Sequence, residues 1–479
     1  MSHERRALAK NTILQVGGKL IGTAVGLATF YVLVHGLGTD GYGALTTALT
    51  YASLFAIVVD FGLTLTTAQL ISEKGADEER ILGNLFSLRL VTGFFFMSLA
   101  PITSFFLPAT PAIRIAILLC SLSFFLSTTA QVFIGVFQKR LLLSRAVVAE
   151  TASRVVSFVL ICLAMWLHLG IVAAAAAFAA GSVVQIILML GATLRHVTIW
   201  PRWESSVLLG IIARSWPIGV SILFNLIYLK GDILFMWLLG RTETEIGLYG
   251  SAYKVVDVIT TVPVMFMGLM LPILAVHWSA KRADAFRTKL QESFDTMAIL
   301  AIPFAIGSVL VGEPLMALIK PDLVTAGTVL HILGPTSAVV FFGSLFGHAV
   351  VAVNKQRPMT WAYVFVAVVA VIGYVTFIPT SGIFAAAWVS FVSEMLIAVI
   401  AAIVVCRTAK FVPGIALALR SIFAAIAMGG VIVLLSTHVL LEVLIGCMVY
   451  SVVLGLLGGP SPRKIIGLFM PERQPITTP

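Results

Sequence analysis

Four charged side chains stand inside two long apolar runs: Lys230 and Asp232 in residues 216–240, Lys254 and Asp257 in residues 247–278. Charge is costly in hydrocarbon, and where it occurs it marks an ion or substrate pathway. Only a short polar turn, 241–246, joins the two runs, so they read as antiparallel neighbours with the four charges at comparable depth. That register permits two cross-pairs, Lys230 with Asp257 and Lys254 with Asp232. The pairs are either a neutral clasp between helices or a cluster whose pairing changes as a cavity opens. Nearer the basic ends of other runs lie Lys19, Arg89, Arg154 and Arg214, with Asp60 and Glu150 as the available acids. Glu150 and Arg154 are four apart and share one helix face. Lys19 and Arg214 have the option of reaching the headgroups, whereas Arg89 and Arg154 sit deeper and are expected to face a cavity. Glu394 stands mid-run without a basic neighbour, as a candidate proton site or a helix-packing hydrogen bond. With Arg420 added to the bases and Glu442 to the acids, cations slightly outnumber anions inside the runs. Such a balance suits a phosphate-bearing ligand, for which Arg and Lys are natural partners, better than an organic cation.

The elements that position these residues follow from composition. Of 479 residues, 59% are hydrophobic and 11% charged. A soluble domain carries about a quarter charged residues, so lipid is the bulk solvent here. About 14 apolar runs are long enough to cross a hydrocarbon core, and without a barrel-type alternation they must be helices. The net charge of +10 has a geography. Arg5, Arg6 and Lys10, then Lys74 and Arg80, Lys139, Arg140 and Arg145, Arg195 and Arg202, and the cluster 281–289 occupy alternate connections. Lys355 and Arg357, Arg407 and Lys410, and finally Arg463, Lys464 and Arg473 continue the series. The intervening connections hold only Arg114, Arg241 and Lys320. This is the positive-inside pattern rather than a nucleic-acid footprint, and it places both termini in the cytoplasm. The first run is too long for a signal-peptide core and is expected to be retained.

The expected spans are 11–34, 44–71, 82–106, 112–137, 146–168 and 170–194. A second group comprises 214–240, 247–278, 293–319, 326–353, 358–379 and 382–405, and two further spans, 412–435 and 437–458, precede a proline-rich tail. The segment 279–292 reads as an amphipathic helix on the membrane surface. The two groups repeat each other. Leu37-Gly38…Tyr42-Gly43 matches Leu239-Gly240…Tyr249-Gly250, Gln138-Lys139-Arg140 matches Asn354-Lys355-Gln356, and Gly170–Ala175 matches Gly382–Ala387. All three recur at an offset of roughly 200–215 residues. The fold class is therefore all-α and polytopic: two parallel-repeat six-helix lobes, 1–205 and 206–405, plus two helices and a tail in 406–479. Parallel repeats are a known transporter construction, with the substrate near the midplane between the halves.

The middle of the chain, Lys230-Gly-Asp232…Tyr249…Ala252-Tyr-Lys254, resembles the polysaccharide-biosynthesis flippases of the multidrug/oligosaccharidyl-lipid/polysaccharide exporter superfamily. Asn11…Gly18-Lys19…Gly26, Leu37-Gly38-Thr-Asp-Gly-Tyr-Gly43, Asp60-Phe-Gly-Leu63 and Leu88-Arg89 extend the resemblance over most of the chain. Where members often have Arg-Ile-Asp this chain has Lys230-Gly231-Asp232, and a glycine there permits a local break in the helix. The resemblance implies a carrier of undecaprenyl-pyrophosphate-linked oligosaccharide in the inner (cytoplasmic) membrane, driven by an ion gradient or the membrane potential. On the reading of the intramembrane charges given above, substrate contacts are expected at Lys19, Arg89, Arg154, Lys230 and Lys254, and gating or ion coupling at Asp60, Asp232, Asp257 and Glu394. The implied partners are the lipid-linked oligosaccharide, membrane lipids, and the glycan polymerase and chain-length machinery. The rival readings are a peptidoglycan-precursor flippase, a multidrug/cation antiporter, or a membrane-embedded glycan polymerase or ligase, against which the short outer loops argue.

Other motifs fail their context. Gly36-Leu-Gly38-Thr-Asp-Gly41 matches a dinucleotide fingerprint by letter but lies between two membrane helices, with no βαβ unit. No Walker A or His-Glu-x-x-His sequence occurs, so no cofactor, metal or enzymatic role is expected. Cys120, Cys162, Cys406 and Cys447 are scattered singly as packing residues, and His348 is expected to be packed.

Overall fold

The computed structural model of the chain describes residues 2–72, 75–140, 142–435 and 437–460. Lys74 of the basic series and Arg463, Lys464 and Arg473 of the tail lie outside the described residues. The first helices are α1 (Ser2–Asp60), α2 (Leu63–Ser72), α3 (Glu78–Thr103), α4 (Pro111–Gln131) and α5 (Ile134–Lys139). α6 (Leu143–Trp166), α7 (Gly170–Leu194), α8 (Ser205–Leu238), α9 (Glu243–Ser279) and α10 (Ala283–Ile319) follow. α11 (Val324–Ala352), α12 (Gln356–Ala409), α13 (Ala416–Leu434) and α14 (Val439–Leu456) complete the order, with no strand among the described residues. The chain is all-helical, as its composition requires.

Among the described residues, eleven helices are long and apolar enough to cross a membrane. Two of the eleven hold more than one expected span, because α1 and α12 each turn at a single glycine. Gly38 (φ 74°, ψ 177°) and Gly382 (φ 55°, ψ −133°) adopt backbone angles that side chains disfavour strongly. The repeat pairs Gly38 with Gly240 and Gly170 with Gly382, and Gly240 (φ 75°) and Gly170 (φ 73°) share the positive φ. Two of the three sequence matches thus fall on the same backbone device. The expected surface helix in 279–292 is absent as a separate element: α10 starts at Ala283 and runs unbroken to Ile319.

Two compact units emerge from the packing. The first takes residues up to Gly250 together with Val371–Ile383, and the second takes Ser251–Ala370 and the chain from Phe384 onward. The first unit therefore extends past 205/206, since α8 packs on α1, α2 and α3. In the first unit Ser123, Ser127 and Ser182 join α4 to α7 through hydroxyl hydrogen bonds of 2.7 and 3.0 Å, the polar glue common between membrane helices. The connection ahead of α8 is laid along the start of α3. Thr198 N donates to Glu79, Arg202 N to Gly83 O and Glu204 N to Asn84 Oδ1. In the second unit α10 packs on α11, α13 and α14. There Tyr450 donates to Ile299 O at 2.8 Å within a cluster of Val311, Met428 and Ile432.

Within the first unit the second half of α1 crosses the start of α9 at backbone contact. A Cβ on Gly43 would overlap Glu243 O, one on Gly247 would overlap Thr39 O, and Thr244 Oγ1 donates to Asp40 Oδ1 at 2.6 Å beside them. Gly43→Val is expected to lower stability by about 1–3 kcal/mol through overpacking. Gly191→Ala, with nothing within 4 Å of the added carbon, serves as the neutral control. Thermal unfolding of the full-length protein in detergent checks this, and equal midpoints for Gly43→Val and the native chain would refute the crossing.

Candidate functional site

Two membrane helices of the first unit are interrupted. α1 stops at Asp60, Phe61 (φ 36°) and Gly62 (φ 77°) take left-handed angles, and α2 resumes at Leu63. α4 stops at Gln131 and α5 resumes at Ile134. A break frees carbonyls that lipid cannot satisfy. Arg89, reaching across from α3, supplies donors: Nη1 to Val59 O at 2.8 Å, and Nη2 to Asp60 Oδ1 at 2.7 Å and Thr64 Oγ1 at 3.1 Å. Thr64 Oγ1 also reaches Asp60 Oδ1 at 2.5 Å and Gln131 Oε1 at 3.4 Å, which ties the two breaks together. The Phe61 ring occupies the space where Gly219 of α8 lacks a side chain. Arg89 is fully buried, while Asp60 keeps 23% of its side-chain surface. Any effect of Arg89 on a ligand therefore passes through Asp60. Sequence spacing gave no sign of Thr64 or Gln131, which belong to this network.

A second basic group differs in kind. Gly18 and Gly22 let α6 approach α1, with Val147 and Arg154 against them. Arg154 Nη1 donates to Gly22 O at 3.2 Å and Nη2 to Glu150 Oε1 at 2.7 Å, the local pair expected from the i, i+4 spacing. Arg154 nevertheless keeps 48% and Glu150 55% of its side-chain surface. Lys19, next to Gly18 in sequence, is exposed. Lys19 and Arg154 against Glu150 leave this group with one positive charge in excess, on side chains that keep much of their surface.

The third group centres on α8. Asp232 is fully buried, its Oδ2 accepting from the buried Tyr249 hydroxyl at 2.7 Å and its Oδ1 from Ile233 N at 2.8 Å. Gly231 does not break α8, which is continuous from Ser205 to Leu238. Its missing side chain instead seats the Tyr374 ring, 3.2 Å from where a Cβ would lie, and that ring stacks on Phe235 with centroids 5.6 Å apart. Tyr374 also donates to Tyr228 O at 3.2 Å. Lys230 is half-buried in the same unit. Lys254, half-buried, and Asp257, exposed, belong to the second unit, as does Glu394, buried within electrostatic reach of Tyr363.

Outside the spans the basic connections are also structural. Lys139 and Arg140 grip Glu78 at 2.6 and 2.8 Å. Arg80 holds Glu204 from Nε and Nη2, and this hydrogen bond keeps the Glu204 carboxyl below the usual carboxylate range. His196, partly desolvated and beside Arg145, Arg140 and Arg195, is held below the usual histidine range. Arg420 donates to Gly458 O at 3.0 Å, and His348 Nδ1 lies 2.7 Å from Ser344 O, a packed position. Among the described residues no group of three or more His, Cys, Asp or Glu side chains is placed to hold a metal ion.

Comparison with known proteins gives both family and fold. A family model described as polysaccharide biosynthesis protein matches residues 8–278. The structure is similar to a lipid II flippase MurJ in an inward closed conformation, with TM-score 0.76 at 14% identity, over 95% of this chain and 100% of that one. It is similar to an inward-facing multidrug resistance transporter of the MATE family, with TM-score 0.66 at 15% identity, over 83% of this chain and 98% of that one. The MATE multidrug transporter DinF-BH in complex with R6G gives TM-score 0.58 at 16% identity, over 85% and 97% of the two chains. At these identities the likeness is one of fold. No curated protein matches the sequence.

The clasp around Arg89 makes a quantitative prediction. Removing one partner of a buried pair strands the other, at about 3–5 kcal/mol. Arg89→Met is expected to lose stability in that range, and Asp60→Asn less, because Arg89 keeps Val59 O. Arg89→Met combined with Asp60→Asn should fall short of additivity by about 1 kcal/mol or more. Unfolding midpoints of the single and double variants check this, and native stability in Arg89→Met would contradict the clasp.

Proposed function

The chain belongs to the polysaccharide biosynthesis protein family, and from that premise we propose that it flips an undecaprenyl-pyrophosphate-linked oligosaccharide across the cytoplasmic membrane. The observation that supports this reading is the openness of Arg154. It stands eleven residues after Leu143, the start of α6, about 16 Å along the helix, yet it keeps half of its surface. A guanidinium at that depth belongs in a water-filled chamber, since charges within spans face cavities or the bundle interior. With Lys19 beside the same α1–α6 crossing, it offers a pyrophosphate two cations against one carboxylate.

The proposed roles are these. Arg154 and Lys19 take the phosphates first, and Lys230 and Lys254 are each assigned to substrate contact as well. Arg89 acts as a positioning residue, holding Asp60 at the edge of the break in α1. Asp232, held by Tyr249, and Glu394 are the carboxylates assigned to ion coupling, and Asp257 to gating. The sugar and pyrophosphate pass through the wet chamber while the polyprenyl tail stays in lipid. The protein alternates between states open to either side, driven by an ion gradient or the membrane potential, with its basic connections and both termini in the cytoplasm. Glycan polymerase and chain-length machinery act on what it delivers.

In a strain lacking this protein, repeat units are expected to accumulate on the inner leaflet. Complementation with Arg154→Lys should restore surface glycan, whereas Arg154→Glu, combined with Lys19→Glu, should reduce it tenfold or more at equal membrane abundance, a loss of about 1.4 kcal/mol or more in the barrier. Lipid-linked units that reach the outer leaflet but stay unpolymerised would indicate a polymerase, and unaltered glycan with drug sensitivity an antiporter. Full function of the charge-reversed chain would refute the cationic chamber.

A further inference from the structure

In the second unit α10 and α11 cross near their ends opposite the basic connections. Gly312 and Gly327 bring the two backbones together: a Cβ on Gly327 would overlap the main chain of Glu313, and one on Gly312 would lie 3.0 Å from Gly327 O. The crossing sets Glu313 of α10 against Thr328 and His331 of α11. Thr328 Oγ1 donates to Glu313 Oε1 at 3.0 Å, and His331 Nε2 stands 3.9 Å from the same oxygen. Glu313 comes six residues before Ile319, and His331 seven residues after Val324. Each therefore lies about 10 Å along its helix from the turn that joins them. The two side chains keep 44% and 36% of their surface, so the pair is open on one side.

Few other charged groups stand on the elements packed against this crossing. On the joining turn Lys320 is 3.3 Å from Asp322. At the start of α14, which also packs on α10, Glu442 accepts from Thr437 N at 3.2 Å and His438 Nδ1 from Leu440 N at 3.4 Å. α13 carries only Arg420, whose guanidinium is on Gly458 O near the far end of α14.

A lone carboxylate inside a membrane helix bears the cost of an uncompensated charge, and an adjacent imidazolium removes it. With neutral histidine the group has net charge −1; one proton taken up on the imidazole makes it a neutral ion pair, with Thr328 holding the carboxylate in place. Packing alone asks for none of this, because the glycines already bring the helices together. Chains of histidine and carboxylate side chains serve as proton relays in membrane pumps and transporters.

We propose that Glu313, Thr328 and His331 form a proton-binding site reached from the extracytoplasmic side. In the carrier described above the site admits the coupling proton, a role that rests on that reading; the binding of a proton does not. Two measurements test it without any glycan lipid, so their outcome is separate from that of the export assay. First, in a chain whose four cysteines are replaced by alanine, His331→Cys should react with a membrane-impermeant maleimide added to intact cells. Second, infrared difference spectra of the full-length protein in nanodiscs, taken between about pH 5 and pH 8, should contain a histidine protonation signal that disappears in His331→Asn. The same signal should move in Glu313→Gln, and the accompanying carboxylate band should weaken in the milder Thr328→Val. Circular dichroism confirms that each variant keeps its helices. No labelling from outside, or a histidine signal unchanged by both Glu313→Gln and Thr328→Val, overturns the proposal.

Discussion

A helix that stops inside a membrane leaves carbonyl oxygens with nothing to accept from, and hydrocarbon offers no substitute. At Asp60–Leu63 that deficit is met by one guanidinium. Arg89 reaches from α3 to Val59 O, the Asp60 carboxylate and Thr64 together. A guanidinium can do this because it is a planar fork with five donors, charged at every accessible pH. The aspartate that neutralises it is left partly open. The cost of burying the charge is thereby offset by groups the break itself has freed, and the two interrupted helices are joined through Thr64 and Gln131. The helices that the sequence matches pair with these spans, α9 and α11, run without interruption despite Pro263, Pro272 and Pro335. The matched glycines share their positive φ, and the breaks have no match.

The basic residues fall into three physical classes. Lys139, Arg140 and Arg80 lie in ion pairs at the ends of helices. Arg89 is a buried neutral pair with Asp60. Arg154 and Lys19 keep exposed side chains, and Arg154 holds only Glu150 and one backbone carbonyl. An exposed pair such as Glu150–Arg154 is worth about 0.3–0.5 kcal/mol, too little to hold the guanidinium against a phosphate, whose bidentate bonds to arginine are stronger. The same weakness that makes the pair poor at stabilising the fold makes it available to a ligand.

Much of this was legible in the sequence, and the gaps have physical causes. Hydropathy and alternating charge gave an all-helical membrane chain, and the repeated glycines marked turns that take positive φ at Gly38, Gly240, Gly170 and Gly382. The Glu150–Arg154 pair followed from helical spacing. The breaks at Phe61-Gly62 and after Gln131 were invisible, because both lie inside apolar runs expected to be single spans and composition cannot separate a broken span from a whole one. Gly231 read as a break and is a seat for Tyr374, since a contact 143 residues away along the chain leaves no local trace. Residues 279–292 read as a surface helix because polar side chains dominate them; α10 takes up 283–292 and continues to Ile319 without a turn residue to stop it. Glu313 and His331 lie eighteen residues apart on separate helices and meet only through Gly312 and Gly327.

The central claim is that solvent-open cations within the spans hold a lipid-borne pyrophosphate. Native mass spectrometry of the purified protein with undecaprenyl pyrophosphate and with undecaprenol tests it most directly, because the two lipids share a tail and differ in charge. Selective retention of the pyrophosphate, lost when Lys19 and Arg154 are both changed to Gln, is the predicted result. Equal retention of both lipids, or pyrophosphate binding indifferent to those substitutions, would contradict it.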